Sequence, residues 1–417
     1  MRRLPQIDHL WQLLRTSFWF VPMLMTVGAV LASFGLLALD RSLDEDMVKE
    51  LEWLYSFGPE GARAVLSAIA GSMITVAGLT FSMTMVTLQL ASSQYGPRIL
   101  RNFMRDRGNQ VVLGTFISTF VYCLLVLRTV RGVEGYAFVP HVSVSVGVLM
   151  SIASLAVLIF FIHHTASSIR VEALLAKLTQ EAKATLDRLY PASIGEAPPA
   201  QPRQQKPLPA DLEERAKPIG AWRSGYVEFV DGDALMALCN HYHLCVVVNA
   251  PPGTFVRKGA TVMHVYPRER LSDAMCDEAT NVMTLGLERT PTHDITFAVQ
   301  RVVEIAQRSL SPSTNDPTTA CYCLDRIEEL LMYMAEREMP DPHRYNDAQE
   351  LKVVTPVVTL EVLASSVLRQ VARYGGQDAD VRERLRQLMD KLGTKAPYLQ
   401  PHLKPIVAHL EPFKGQI

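Results

Sequence analysis

Between Ala64 and Leu90 the chain reads AVLSAIAGSMITVAGLTFSMTMVTLQL, without a charged residue. A helix of about 27 residues is long enough to cross a hydrocarbon layer of about 30 Å, so the stretch predicts a membrane span. Its content is unusual for a lipid anchor, because Ser72, Thr75, Thr80, Ser82, Thr84, Thr87 and Gln89 all lie within it. On a helical wheel Thr80, Thr84 and Thr87 share one face, and Gly71, Thr75, Gly78 and Ser82 form a second row of small residues. One row suits packing and the other suits water.

Three more uncharged stretches, Phe18–Leu39, Val111–Leu127 and Val142–Ile162, predict further spans and bring the number to four. The first is long for a signal peptide and has no small-x-small cleavage pattern before Asp40. Arg2, Arg3 and Arg15 precede it. Arg98, Arg101, Arg105 and Arg107 follow the second span, whereas the loop from Asp40 to Arg63 is acidic and carries Trp53, Tyr55 and Phe57. The positive-inside rule then predicts both termini in the cytoplasm. Ile99, Leu100, Phe103 and Met104 fall on the face opposite those arginines, as in a helix lying in the membrane interface; a solvated charge run is the other reading. His163 and His164 follow the fourth span as boundary residues, since neighbours in sequence do not face each other on a helix.

Beyond the membrane a three-and-four spacing of Ser168, Val171, Leu175, Leu178, Ala182, Thr185 and Leu189 predicts a helical stalk packed on something else or a short coiled coil. The proline- and alanine-rich segment after Tyr190 reads as a disordered linker. From Ile219 short alternating runs broken by Asp231-Gly232, Pro252-Gly253 and Lys258-Gly259 predict strands and hairpin-type turns. From Ser272 onward the periodicity is helical. Asp316 followed by Pro317 predicts a capped helix start, because the carboxylate accepts free first-turn amides and proline sits where no amide is needed. The fold class expected is thus a four-span α-helical membrane domain followed by a cytoplasmic α+β region, a small antiparallel β domain plus a helical C-terminal domain. Its boundaries are 1–190, 191–218, 219–271 and 272–417.

A formal net charge of −1 and the lack of a basic run mixed with aromatics argue against a nucleic-acid partner. The six cysteines are scattered, with one residue between Cys321 and Cys323, so they read as free thiols in a reducing compartment. His241 and His243 would share a strand face but lack a third ligand, and no metal or other cofactor is expected.

Three blocks carry a resemblance. They are TFSMTMVTLQLASSQYGPRILRNFMRDRGNQVVLGTFISTFVYCLL, SGYV with PGTFVRKG, and GLERTPTHDITFAVQRVVEIAQRSLSPSTNDPTTA. The chain resembles, over nearly its whole length, a family of predicted bacterial integral membrane proteins known only as a domain of unknown function. The resemblance implies four spans and a cytoplasmic tail, and brings no activity; the location expected is the bacterial inner membrane. The chain departs from that family's pattern at His293, where an amide is expected, at Ser313-Thr314, where a more apolar pair is expected, and in its long proline-rich linker.

No phosphate-cradling loop, nucleophile elbow or paired-histidine metal motif is present, so an enzyme is not expected. The predicted spans hold no acidic residue to relay protons, which also weakens a proton-coupled transporter. An oligomeric channel asks less of the sequence: Thr80, Thr84, Thr87 and Gln89 from several copies would offer rings of oxygens that partly replace an ion's water. Against this, serine and threonine often bond to their own helix carbonyls, and small residues let helices approach. Arg98, Arg101, Arg105 and Arg107 would sit at the inner mouth of such a pore, or contact lipid head groups. In the third block Arg289, Asp294, Arg308, Asn315 and Asp316 gather around two helix ends, either as an anion-binding site or as a structural joint. The partners expected are membrane lipid, further copies of the same chain and a small ligand or ion. The function expected is a channel or channel-like conduit with a cytoplasmic regulatory region; the alternative is a membrane-anchored sensor or scaffold that conducts nothing.

Overall fold

The long second apolar stretch forms one continuous helix in the computed structural model, which describes residues 19–42, 58–96, 106–131, 138–168, 170–190 and 215–410. Most of the proline-rich linker, the aromatic residues of the acidic loop and the N-terminal arginines lie outside the described residues. The chain divides into two compact units, 1–173 and 174–417.

The first unit is built from α1 (Phe20–Ser42), α2 (Pro59–Tyr95), α3 (Arg107–Leu127) and α4 (His141–Ser168), each long and apolar enough to cross a membrane. Proline at the first position starts α2, where its missing amide costs nothing. Asp106 starts α3 by accepting the Gly108 amide at 2.8 Å. Of the four, α3 is the most enclosed and packs against the other three. Gly114 makes its approach to α1 possible, since a Cβ there would lie 2.6 Å from Met25 Sδ and 3.1 Å from Pro22 Cα. Tyr122, Phe116, Phe161 and Leu66 are fully buried around it, and the Tyr122 hydroxyl is satisfied by donating to the Ser143 carbonyl at 2.9 Å.

Bonds between helix ends fix the directions. Asp40, near the end of α1, accepts from the first amides of α4. Arg63, near the start of α2, donates to the Val130 carbonyl just past α3 at 2.8 Å. Asp106 at the start of α3 meets His164 near the end of α4 at 3.0 Å. Hence α1 and α3 run opposite to α2 and α4. The outside of the bundle is apolar, with Leu24, Leu31 and Phe34 of α1, Leu79 and Val86 of α2, and Leu149, Leu155 and Ile159 of α4 all exposed. Apolar side chains exposed on three of the four helices fit lipid rather than water.

The second unit takes in nearly all of α5 (Val171–Leu189). Its apolar stripe, Leu174, Leu175, Leu178, Ala182 and Leu186, is buried within the unit. Glu181 pairs with buried Arg301 at 2.8 Å and Lys183 with Glu329 at 2.6 Å. The three-and-four seam therefore finds its partner in the same chain. Among the described residues eight strands follow between the helices: β1 (Lys217–Gly220), β2 (Gly225–Val230), β3 (Cys245–Val248), β4 (Phe255–Val256), β5 (Thr261–Tyr266), β6 (Met283–Gly286), β7 (His343–Tyr345) and β8 (Leu351–Val354). They make a five-stranded sheet in the order β1-β5-β3-β8-β7 and a three-stranded sheet in the order β4-β2-β6. Every pairing is antiparallel except β3 with β8, where Val246 stands opposite Val353.

Asp231-Gly232 does not make the expected hairpin turn. It opens α6 (Gly232–His241), with the Asp231 carboxylate accepting the Ala234 amide at 2.9 Å. The physical reason is that a short acceptor side chain serves a turn and a helix cap equally well. Leu235, Leu238 and Cys239 then bury one helical face. The remaining helices are α7 (Asp273–Asn281), α8 (Ile295–Ser309), α9 (Pro317–Ala335), α10 (Leu360–Gly375), α11 (Ala379–Lys395) and α12 (Gln400–Leu410). Among them α8 is buried along most of its length, including Arg301. Asp316 caps α9 as its sequence predicts, accepting the Thr319 amide at 3.0 Å with Pro317 at the first position. All six cysteines are free thiols.

Candidate functional site

Two faces of α2 have opposite surroundings. Ala62, Leu66, Ala70, Met73, Ala77, Thr80, Thr84, Thr87 and Ala91 point into the bundle. Thr80, Thr84 and Thr87 are thus packed inside the chain, and each hydroxyl donates to a carbonyl of its own helix: Ala77 at 2.9 Å, Thr80 at 2.8 Å and Met83 at 2.9 Å. Threonine in a helix readily makes this local bond, which leaves the methyl to pack. Thr80 and Thr84, with Phe81, Asn109, Val112, Leu113 and Phe161, line a gap that has no room for a water molecule. In the single chain these three threonines are thus packed within the bundle rather than exposed on its outside.

The other row is on the outside. Gly71, Thr75, Gly78, Ser82 and Gln89 are all exposed in the single chain. At 100° per residue they fall within a sector of about 60°, roughly opposite the packed face. A Cβ built on Gly71 or Gly78 would meet nothing within 4 Å. Thr75 and Ser82 also bond to their own helix, donating to the Gly71 carbonyl at 2.8 Å and the Gly78 carbonyl at 2.9 Å, yet each keeps acceptor capacity facing outward. Of the arginines after this span, Arg98, Arg101 and Arg105 lie outside the described residues. Arg107 is exposed in the first turn of α3.

The third block is not one site. Arg289 and Asp294 stand at the start of α8, while Arg308, Asn315 and Asp316 gather where α8 ends and α9 begins. A helix of 15 residues separates them, or about 22 Å. At the first end buried Asp294 accepts the Phe297 amide at 3.0 Å and the Arg289 Nε at 2.8 Å, with Arg289 Nη2 2.6 Å away. The turn at Gly253 closes over it. A Cβ at that position would lie 2.1 Å from Asp294 Oδ2, and φ is +91°, so glycine is needed for both space and conformation. Thr185 and Arg188 of α5 hold the preceding loop by donating to the Pro291 and Thr292 carbonyls at 2.9 and 2.7 Å. His293 rests against Phe229, ring centroids 4.5 Å apart. Burial, followed by the positive charge of Arg188, holds its imidazole below the usual histidine range. Tyr190 lies nearby, its hydroxyl donating to the Val358 carbonyl at 2.7 Å. Its pKa is pushed up by burial and then by the Asp294 carboxylate.

At the other end Asn315 adopts φ of +46°, the left-handed conformation that asparagine tolerates. The loop is closed on itself: the Thr314 and Asn315 amides bond to the Ser311 carbonyl at 3.0 and 2.9 Å, and the Asp316 amide to the Ser309 carbonyl at 2.7 Å. Arg308 is exposed beside it. At both ends of α8 these groups are bonded within the chain. Among the described residues no group of three or more His, Cys, Asp or Glu side chains gathers as metal ligands. His241 ends α6, and His243 lies beyond it at φ of +54°.

The polar groups that sequence pattern missed are those joining distant segments. Asp40 reads as the first residue of an acidic loop yet caps α4, and His164, read as a boundary residue, is tied to Asp106. Only the position of each at the edge of an apolar run hints at such a role.

An uncharacterized protein of Mycobacterium bovis is 32% identical to the chain over 398 residues, covering 93% of this chain and 73% of that protein. An uncharacterized protein of Mycobacterium tuberculosis gives the same identity and coverage. No solved structure matches the chain. The model of a family described as predicted membrane protein (DUF2254) matches residues 15–391, and the chain belongs to that family.

Proposed function

We propose that the protein is a subunit of a homo-oligomeric channel or channel-like conduit in the bacterial inner membrane, with both termini in the cytoplasm and the C-terminal unit regulatory. The observation that supports this is the outward row of α2, Gly71, Thr75, Gly78, Ser82 and Gln89. A helix facing only lipid has no use for a row of glycines, hydroxyls and an amide opposite its packed side, and an amide exposed to hydrocarbon is costly. Copies meeting around an axis would give these groups each other or water, with the apolar faces of α1 and α4 left to lipid. Conduction of this kind needs no catalytic residue and no cofactor, and the protein is proposed as a non-enzyme.

The second reading, a membrane-anchored sensor or scaffold, is favoured by one feature. Thr75 and Ser82 already satisfy their hydroxyl protons within the helix, and two glycines seven residues apart also suit dry helix packing.

Cysteine cross-linking in native membranes tests the shared axis. Ser82→Cys is expected to form an intermolecular disulfide under mild oxidation, whereas Leu155→Cys, on the outward face of α4, is not. A Ser82→Cys protein that stays monomeric would remove the basis for both assembly and conduit.

A further inference from the structure

Along α10 the residues Glu361, Ser365, Ser366, Arg369, Gln370 and Arg373 line an open groove of about 540 Å³, which His402 of α12 borders from the side. Arg369 and Arg373 are one helical turn apart, so their like charges repel when nothing lies between them. Both are exposed, and among the described residues neither finds an acidic partner. On neighbouring α11 Arg384 behaves differently, reaching Asp325 at 2.6 Å and Glu328 at 2.7 Å. The Ser365 hydroxyl is shielded from solvent yet has no hydrogen-bond partner. Gln370, in the lining of the groove, exchanges two hydrogen bonds with the side-chain amide of Gln300 of α8, accepting at 2.9 Å and donating at 3.1 Å. The arrangement concentrates donors and positive charge at one end, and a carboxylate and the exposed Val362 at the other.

We propose that this groove binds a phosphomonoester. The two guanidiniums match phosphate oxygens in fork geometry, and His402 and a serine hydroxyl supply further donors. The volume falls in the range of small-molecule sites and leaves space for a body the size of a nucleoside. Glu361 disfavours a second anionic group at the far end and suits hydroxyls or an amine. The proposal does not depend on the conduit, because it concerns the C-terminal unit alone. Two sources share the chemistry, a soluble phosphomonoester and the head group of phosphatidic acid.

The test is calorimetric titration of the full chain in detergent with adenosine 5′-monophosphate, with adenosine and inorganic phosphate as separate probes, beside flotation with phosphatidylcholine vesicles containing phosphatidic acid. The double variant Arg369→Gln, Arg373→Gln keeps helix propensity; Lys177→Gln, exposed on α5, is the control. Saturable binding of adenosine 5′-monophosphate that weakens at least tenfold in the double variant and not in the control supports the groove and names a soluble source. Selective flotation with phosphatidic acid, lost in the double variant, supports it and names the lipid source. Absence of both, or binding that the double variant retains in full, overturns the proposal.

Discussion

The carboxylate of Asp40 bonds Ser143 twice, accepting its backbone amide at 3.0 Å and its hydroxyl at 2.5 Å, and accepts the Val142 amide at 2.9 Å. A residue near the end of the first span thus caps the start of the fourth, where free amides and the helix dipole favour a negative charge. Removing it in Asp40→Ala should destabilise the membrane unit by about 1–2 kcal/mol, the usual cost of a lost cap. Asp40→Asn, which keeps an acceptor, should lose less. Thermal unfolding in detergent measures both, and equal stability of Asp40→Ala and wild type would show that the cap contributes nothing.

At the start of α8 a buried carboxylate, a guanidinium and a glycine turn depend on one another. Asp294→Ala removes both a cap and the partner of Arg289, which is about two-thirds buried, with an expected cost of about 2–3 kcal/mol. Gly253→Ala forces a positive φ on a residue with a Cβ and drives that carbon into Asp294, at a similar cost of about 2–3 kcal/mol. The double variant should cost less than the two singles together, since the clash partner is gone. Denaturant titration of the full chain followed by fluorescence supplies the three values.

The pH dependence of stability has a specific source in His293. Its folded pKa is depressed, first by burial and then by Arg188, below the ordinary value of 6.5. Below that value the unfolded chain takes up a proton that the folded chain resists, so stability falls as pH drops from about 6.5 toward the folded pKa. His293→Asn should flatten the profile in that window and leave it unchanged above pH 7. Unfolding midpoints measured across pH 5 to 8 decide it, and parallel profiles would refute the assignment.

Much of the fold was legible in the pattern of charges. Val111–Leu127 and Val142–Ile162 lie within α3 and α4, and Asp316-Pro317 opens a helix where the sequence places one. What stayed hidden depends on residues far away in the chain. Thr80, Thr84 and Thr87 are indistinguishable from Thr75 and Ser82 until α3 is known to cover one face. Asp231-Gly232 is a turn signal locally, and only the apolar residues that follow at helical spacing make it a cap. The pairing of β3 with β8 joins Val246 to Val353, and the short apolar run around Val353 gives no sign of its partner. Asp40 is the same lesson in the membrane unit.

The two faces of α2 also make different demands on substitution. Thr84→Val should be tolerated within about 1 kcal/mol, because the hydroxyl bonds only its own helix and the shape is kept. Thr84→Lys should fail to give folded protein, since it buries an unpaired charge. Ser82→Lys should fold. Detergent-solubilised yield and gel filtration separate these outcomes, and a well-folded Thr84→Lys would contradict the packing described.

Single-channel recording in planar bilayers, wild type beside Ser82→Lys at graded salt, tests the central claim most directly. Discrete conductance steps whose reversal potential moves toward anion selectivity in Ser82→Lys are the predicted result. Silence from folded, oligomeric wild-type protein over a wide voltage range, or steps that Ser82→Lys leaves unaltered, would contradict it.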